Sequence, residues 1–533
     1  MFEHRTLRAV PEMLVAQKRD DLLLMIVYFI AIFSITPLLI LAGVNIGLGT
    51  IFGLLAALIG VVLVARWPIV GGFLVLGCVV LIEQNPLSVS DGTDRLPIFY
   101  WPPQLVGLIE RPIGFLMLLI FFLLLTHRFI KREPLLQGGV LFGVLVFYLL
   151  SVVVGVLHGL TSGGDFKIIV VEVRPFWYMF ISYLLAYNLF KSKAQVRTFF
   201  WLVIFGAGVK GLQGLYIYLV LLHGNLTGQN EIMAHEESFF FVALILLLIL
   251  FCLHSCYRPQ FYTIWILLPP VLVALVANNR RTDYVALLVG VGVALSLIFL
   301  VKPKARPVLL ISVVVFAVLL TGYVAAFAHT GGAAGAPARA ILSVIDPASA
   351  SARDAASNQY RVIENYDLKY TVKQNPLLGL GFGKPFLRPI PLPDISDLDQ
   401  YYIYVPHNTI YWIWMRLGAI GYLALWYLFG SLIVRGCLIA RQLNDPYLQL
   451  VAIYAVAIAV MEIIVGYADY QLFFYRNVIY LGLLAGLLMR LPALDKEKER
   501  KNEVTSSVLF DPITDVGGKG AELLSAQGVS KEI

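Results

Sequence analysis

Long apolar runs recur along this chain, separated by short polar segments. A run of roughly 17–25 residues can cross a hydrocarbon core about 30 Å thick as a helix. Fourteen such segments are predicted, near 22–42, 46–64, 68–83, 112–130, 138–158, 174–190, 197–222, 238–256, 261–277, 283–301, 307–327, 408–434, 447–467 and 472–490. The runs are continuous rather than alternating, which excludes a transmembrane barrel. The fold class is all-α: a polytopic helical membrane protein of about 12–14 transmembrane helices with one large outward-facing loop containing helices.

That loop, 328–406, is about eighty residues long, far beyond an ordinary helix connection. The chain then divides into an N-terminal segment 1–21, helices over 22–327, the loop 328–406, final helices over 407–490 and a tail 491–533 expected to be disordered. Inside the loop, 328–350 is rich in Ala, Gly, Pro and Ser and reads as irregular. A helix is predicted from about Asp354 to Gln374, with Ser357 as its cap, Val362, Tyr366 and Tyr370 as its apolar repeat, and Pro376 beyond its end. Gly379, Gly381 and Gly383 follow in a tight segment, then Pro- and Asp-rich coil over 385–400. Tyr401, Tyr402 and Tyr404 read as an interfacial belt or as a surface on which sugars stack.

Composition agrees with the pattern. Of 533 residues, 59% are hydrophobic and 14% charged, with mean hydropathy +0.82. The net charge of +7 and pI near 9.0 do not point to nucleic acid, because the basic residues lie between spans. Loops bearing Arg66, Arg128/Lys131/Arg132, Lys191/Lys193/Arg197, Arg258, Lys302/Lys304/Arg306 and Arg435/Arg441 alternate with acidic, mixed or uncharged ones. The basic set is expected in the cytoplasm and the large loop outside. Arg5, Arg8, Lys18 and Arg19 lead into the first span without a cleavage pattern, so that span is expected to act as its own insertion signal. Cys78, Cys252, Cys256 and Cys437 fall within or beside spans and read as packing residues rather than a disulfide framework.

Several polar residues sit where structure alone or chemistry would explain them. His407-Asn408 opens a span at the end of the large loop, as a helix-start residue or as a base titrating near neutrality. Arg280 and Arg281 stand at an outward junction, as headgroup contacts or as a phosphate clamp, with Asp283 placed to orient one of them. Arg361 lies in the loop helix. Glu172 and Arg174 open one span and read as an ion pair; His235, Glu236 and Glu237 open another without metal-site spacing. Lys210 falls inside a span, where charge is costly, with Glu462 or Asp469 as the expected partner; Asp469 and Arg476 are also placed to pair. Gly379-Leu380-Gly381-Phe382-Gly383-Lys384 lacks P-loop spacing, and Asp397-Leu398-Asp399 in a Pro/Asp-rich loop reads as solvated rather than as a metal-binding pair.

Taken in order, these residues resemble a family. His407-Asn408, nine residues, Gly418, two residues, Gly421 is similar to the His-Asn…Gly-x-x-Gly pattern of the bacterial O-antigen ligases and O-antigen polymerases. Pro376-Leu377-Leu378-Gly379-x-Gly381 resembles their Pro-x-x-Gly-x-Gly segment, and Arg281 and Arg361 stand where the family has arginines. Here Asn279-Arg280-Arg281-Thr282 replaces the commoner Ser-Arg-Gly, which leaves open which arginine acts. The resemblance implies glycosyl transfer at the outer face of the bacterial inner membrane. Its donor is a glycan on undecaprenyl pyrophosphate and its acceptor is lipid A–core (ligase) or a lipid-linked glycan (polymerase), with no cofactor or metal. It implies His407 as base, Arg281 and Arg361 on the pyrophosphate, and Arg280, Arg174, Glu172, Lys210, His235 and Asn408 in support. The alternative is a transporter or a lipid-linked glycan flippase, suggested by Lys210 and the number of spans.

Overall fold

The computed structural model describes residues 59–84, 98–99, 110–226, 231–254, 256–330, 332–346, 348, 352–396 and 400–510. The span near 22–42, most of that near 46–64, and Asp397-Leu398-Asp399 lie outside the described residues. In chain order the helices are α1 (Pro68–Leu81), α2 (Pro112–Ile130), α3 (Phe142–Thr161), α4 (Phe166–Leu189), α5 (Lys193–Tyr216), α6 (His235–His254) and α7 (Arg258–Asn278). There follow α8 (Arg281–Val301), α9 (Arg306–Phe327), α10 (Gly332–Ile345), α11 (Ala352–Gln374), α12 (Thr409–Gln442), α13 (Pro446–Ala468) and α14 (Tyr475–Phe510). Eleven are long and apolar enough to cross a membrane, and α1 is a shorter apolar helix. This is an all-α polytopic membrane protein.

Helices α6, α13 and α14 form the interior, with 78–83% of their apolar windows enclosed by protein. Around them α14 packs along α4, α5 along α7, and α13 along both α12 and α8. Helix α9 is peripheral: 6% of its window is enclosed, and Leu309 is its buried residue. The basic turns gather at one end, where Lys193 bonds Asp445 and Arg197 lies 4.5 Å over the Tyr257 ring. The large loop closes the other end.

The span expected near 174–190 starts earlier, at Phe166, where Asp165 accepts from the amides of Lys167 and Ile168. Glu172 and Arg174 therefore lie inside α4. Their charges break the apolar run in the sequence, but partners on other elements accommodate them in the fold. Residues 328–350 are not irregular throughout: α10 occupies Gly332–Ile345, because Ala333, Ala334, Ala336, Ala338 and Ala340 favour helix strongly. Helix α14 runs on through Pro492 to Phe510, where Lys496 to Glu503 supplies helix-favouring Lys, Glu and Arg; the rest of the tail, 511–533, and the N-terminal segment 1–21 lie outside the described residues.

Helix α11 matches its predicted place, but Ser357 is interior to it rather than its cap. Its faces are also reversed. Val362, Tyr366 and Tyr370 are exposed, while Glu364, Asp367, Leu368, Thr371 and Val372 are buried. The polar face turns inward because it meets irregular backbone whose amides need acceptors. Leu387 N donates to Thr371 Oγ1 at 3.0 Å, Ile390 N to Asp367 Oδ1 at 3.2 Å and His407 N to Glu364 Oε2 at 3.1 Å.

The glycine segment is locked to a break in α12. Gly418 has φ +64° and ψ −167°, which divides α12 and frees carbonyls of the turn before it. Leu380 N donates to Met415 O at 2.7 Å and Gly381 N to Arg416 O at 3.2 Å; Ala419 N in return donates to Pro376 O at 2.9 Å. Gly379, Gly381 and Gly383 all have positive φ. A Cβ at Gly418 would lie 2.1 Å from Leu377 O, and one at Gly381 would lie 2.5 Å from Gly159 N. Gly418→Ala should therefore destabilise the protein by about 1–3 kcal/mol from backbone strain alone, with the clash adding to it. The measurement is the thermal midpoint of the detergent-solubilised protein; an unchanged midpoint refutes the constraint.

Candidate active site

Most charges inside the helices belong to the scaffold. Glu172 and Arg416 form a pair at 2.5 Å with neither side chain exposed. The pair also holds the glycine segment: Gly383 N donates to Glu172 Oε2 at 2.6 Å and Arg416 Nη1 to Gly381 O at 3.1 Å. Arg416 Nη2 donates to Tyr404 O at 2.8 Å, fixing the approach to His407. Glu172 thus pairs with Arg416 and not with Arg174. Arg174 instead lies 3.9 Å from Glu110 and donates to Tyr475 Oη at 3.3 Å.

Lys210 pairs with Glu83 at 2.8 Å and lies 3.8 Å from Glu237, all three fully enclosed. Its expected partners, Glu462 and Asp469, are engaged elsewhere: Glu462 accepts from Asn477 at 3.2 Å and Asp469 holds Arg280. Arg476, also expected on Asp469, pairs with Glu237 at 2.5 Å and Glu236 at 3.3 Å. These pairs join the turn after α1 to α5, α6 and α14, and a charge without a partner at such depth costs about 2.5–3.5 kcal/mol or more. Apolar periodicity gives no sign of which buried charges meet, because each partner comes from a distant helix.

Nearer the loop end, a second cluster forms around Arg280. Helix α7 ends at Asn278, whose Oδ1 accepts from Ile232 N and Met233 N at 3.2 and 2.9 Å. Asn279 takes left-handed φ +52°, which Asn tolerates, and turns the chain into α8. Arg280 Nη2 donates to Asp469 Oδ2 at 2.6 Å and contacts His235 Nδ1; Glu231 lies 3.6 Å from Arg280 and 2.9 Å from His235 Nε2. Burial would raise the Asp469 carboxyl, but Arg280 foremost, with His235 and Arg361, holds it well below the usual range. Asp283, buried, makes no ion pair with Arg280 or Arg281 among those found; its influence on Arg280 is through space. His235 and Glu236 point to different partners, which accounts for both without a shared ion.

Arg281 and Arg361 face a cavity of about 610 Å³. Thr282, Ser343 and Asn358 share its polar side, while Val285, Ile410, Trp426, Ile463, Ile464 and Tyr467 form an apolar wall from α8, α12 and α13. Arg281 donates to Ser343 Oγ and Asn358 Oδ1, both at 3.1 Å, and lies 3.4 Å from Asp354. Arg361 Nε has no hydrogen-bond partner although it is buried. Burial pushes this guanidinium's pKa down; Asp469 opposes that, while Arg280 and Arg281 reinforce it. It still carries its charge at any physiological pH. Two guanidinium groups at the polar end of a largely apolar cavity can bind an anionic group attached to an apolar chain.

His407 stands just before α12 and packs against the same loop helix, α11. Its Nδ1 lies 3.1 Å from Glu364 Oε1, and its ring meets Tyr360 and Tyr470 edge-on at 5.6 and 5.3 Å. Asn408 caps α12 through Tyr411 N at 3.1 Å and donates to Asn365 Oδ1 at 2.8 Å. Thus α11 offers Asn358 and Arg361 to the cavity and Tyr360, Glu364 and Asn365 to the His-Asn pair. Of the residues singled out from the sequence, His407, Asn408, Arg281 and Arg361 gather around α11, with Arg280 and His235 in the adjoining cluster. Of these only Arg281 and Arg361 line the cavity; His407, Asn408, Arg280 and His235 stand beside it, and Glu172, Arg174 and Lys210 belong to the scaffold.

Sequence reasoning missed Glu364, Asp354, Asn358, Tyr470 and Arg416. The available signals were Glu364 and Asn358 at i+3 and i−3 from Arg361, and Arg416 inside an apolar run.

Residues 263–426 match the family model described as O-antigen ligase. The matched stretch contains Arg280, Arg281, the loop with Arg361 and Glu364, the glycine segment, His407 and the break at Gly418. No curated protein matches the chain.

Removing one partner of a buried ion pair strands the other. Glu172→Gln should lower stability by about 3–5 kcal/mol by leaving Arg416 uncompensated. The thermal midpoint in detergent reads this out, and a midpoint equal to wild type would show that the pair is not part of the scaffold.

Proposed function

We propose, on the premise that this chain carries an O-antigen ligase family domain, that it transfers a glycan from a polyprenyl diphosphate carrier to a lipid-linked acceptor. The observation that carries the reading is the cavity with Arg281 and Arg361 at its polar side and an apolar wall along α8, α12 and α13. A lipid diphosphate has the same division: its charge suits the guanidinium groups and its isoprenoid chain suits the helix faces. In bacteria the carrier is undecaprenyl pyrophosphate, as the family resemblance implies. The acceptor is lipid A–core or another lipid-linked glycan.

The chemistry follows from these groups. His407 takes the proton of the acceptor hydroxyl as that oxygen attacks the anomeric carbon. The bond from that carbon to the diphosphate oxygen breaks, and Arg281 and Arg361 stabilise the charge gathering on the leaving group. Diphosphate leaves readily, so the step as written uses no metal or nucleotide. Arg280, held by Asp469 and Glu231, fixes the turn that aims Arg281 rather than binding phosphate itself. The gathering of basic turns at the opposite end supports an active site on the outer face of the bacterial inner membrane. The transporter alternative is suggested by Lys210 and the number of spans; the enclosure of Lys210 by Glu83 and Glu237 gives that residue a scaffold role and weakens the first of these supports.

His407→Ala should lower transfer by about 10²–10⁴-fold while the protein still reaches the membrane. The assay is transfer from lipid-linked glycan in vesicles, and near-normal activity would dismiss the base. Arg281→Lys should lose about 10²-fold, because a lysine cannot reproduce the planar fork. Full activity in that variant would mean that a point charge suffices. Deleting the gene separates the acceptors: lipid-linked polymer accumulates if the enzyme is a ligase, and single lipid-linked repeats if it is a polymerase.

A further inference from the structure

We propose that Glu364 is a positioning residue that sets the tautomer and the orientation of His407. The inference rests on His407 being the base.

Glu364 is 1% exposed and both its oxygens face one residue: His407 N donates to Oε2 and His407 Nδ1 lies against Oε1, both at 3.1 Å. A carboxylate offers only acceptors, so the tautomer that bonds it has its hydrogen on Nδ1 and its lone pair on Nε2. Tyr360 from α11 and Tyr470 from the turn after α13 stand edge-on to the ring and restrict its rotation. Arg361 and Asp367 of α11, one turn to either side, also interact with Glu364.

The pairing has a chemical consequence. As the acceptor hydroxyl attacks, its proton moves to Nε2 and the imidazole becomes an imidazolium. The Glu364 carboxylate stabilises that cation through the Nδ1 hydrogen without itself taking the proton. The proton then leaves from Nε2 to water and restores the starting tautomer. A residue that only anchored the backbone before α12 would use one oxygen; here the second is directed at the ring.

Glu364→Gln tests this, since the amide offers one acceptor oxygen for two donors. The expected result is a fall in kcat of about 10²–10⁴-fold with KM for the lipid-linked donor little changed. In the His407→Ala background the same change should cost nothing further. Glu364→Asp, which keeps the charge, should recover part of the rate, and thermal midpoints confirm that each variant is folded. A wild-type rate in the Gln variant overturns the proposal. So does equal loss in the Gln and Asp variants, or a further loss on top of His407→Ala. If His407→Ala alone retains activity, the base assignment fails first and is recognised as such.

Discussion

Arg416 and Glu172 meet out of contact with solvent, and the remaining polar contacts of the pair go to the chain segment between α11 and α12. A buried pair costs several kcal/mol per ion in lost hydration and is tolerable only where further hydrogen bonds satisfy both groups. Here they come from Gly381, Gly383 and Tyr404. The segment can reach the pair because it has no side chains at its closest approaches, and because the break at Gly418 leaves carbonyls for it to bond. One local arrangement thus ties α4 to α12, docks the large loop on the helices and fixes the approach to His407.

The charges of this protein divide by what surrounds them. Lys210, Arg476 and Arg416 are enclosed and matched by carboxylates from other helices. Arg280 is matched by Asp469 and Glu231 at the edge of the site. Arg281 reaches the cavity with only part of its fork directed at Asp354, and Arg361 Nε is without a hydrogen-bond partner. Adjacent arginines in the sequence therefore differ in kind. Arg280 lies just before the first turn of α8 and faces α6 and α13, whereas Arg281 opens that turn and faces the loop.

Helix α11 makes the large loop part of the site. Its inward face is polar, so it can supply acceptors to irregular backbone and partners to His407. Val362, Tyr366 and Tyr370 face outward, while Leu368 and Val372 are buried among the polar groups. The usual inference from an apolar stripe to a buried face fails here, because the loop packs on hydrogen-bonding groups more than on aliphatic surface.

The sequence by itself determined the fold class, eleven of the spans among the described residues, the length of the loop, the helix near 354–374 and the special backbone at Gly379, Gly381 and Gly383. These follow from local quantities: the length of an apolar run, the preference of a short segment, or the left-handed φ that glycine adopts without strain. It also singled out His407, Arg281 and Arg361, but it paired Lys210, Glu172, Asp469 and Arg476 with the wrong partners. Tertiary structure decided those pairings, the reversal of α11, the role of Arg280 in the turn and the meeting of Glu364 with His407. Each depends on which distant helices lie side by side, and an electrostatic match between groups many residues apart leaves no periodic trace in the chain.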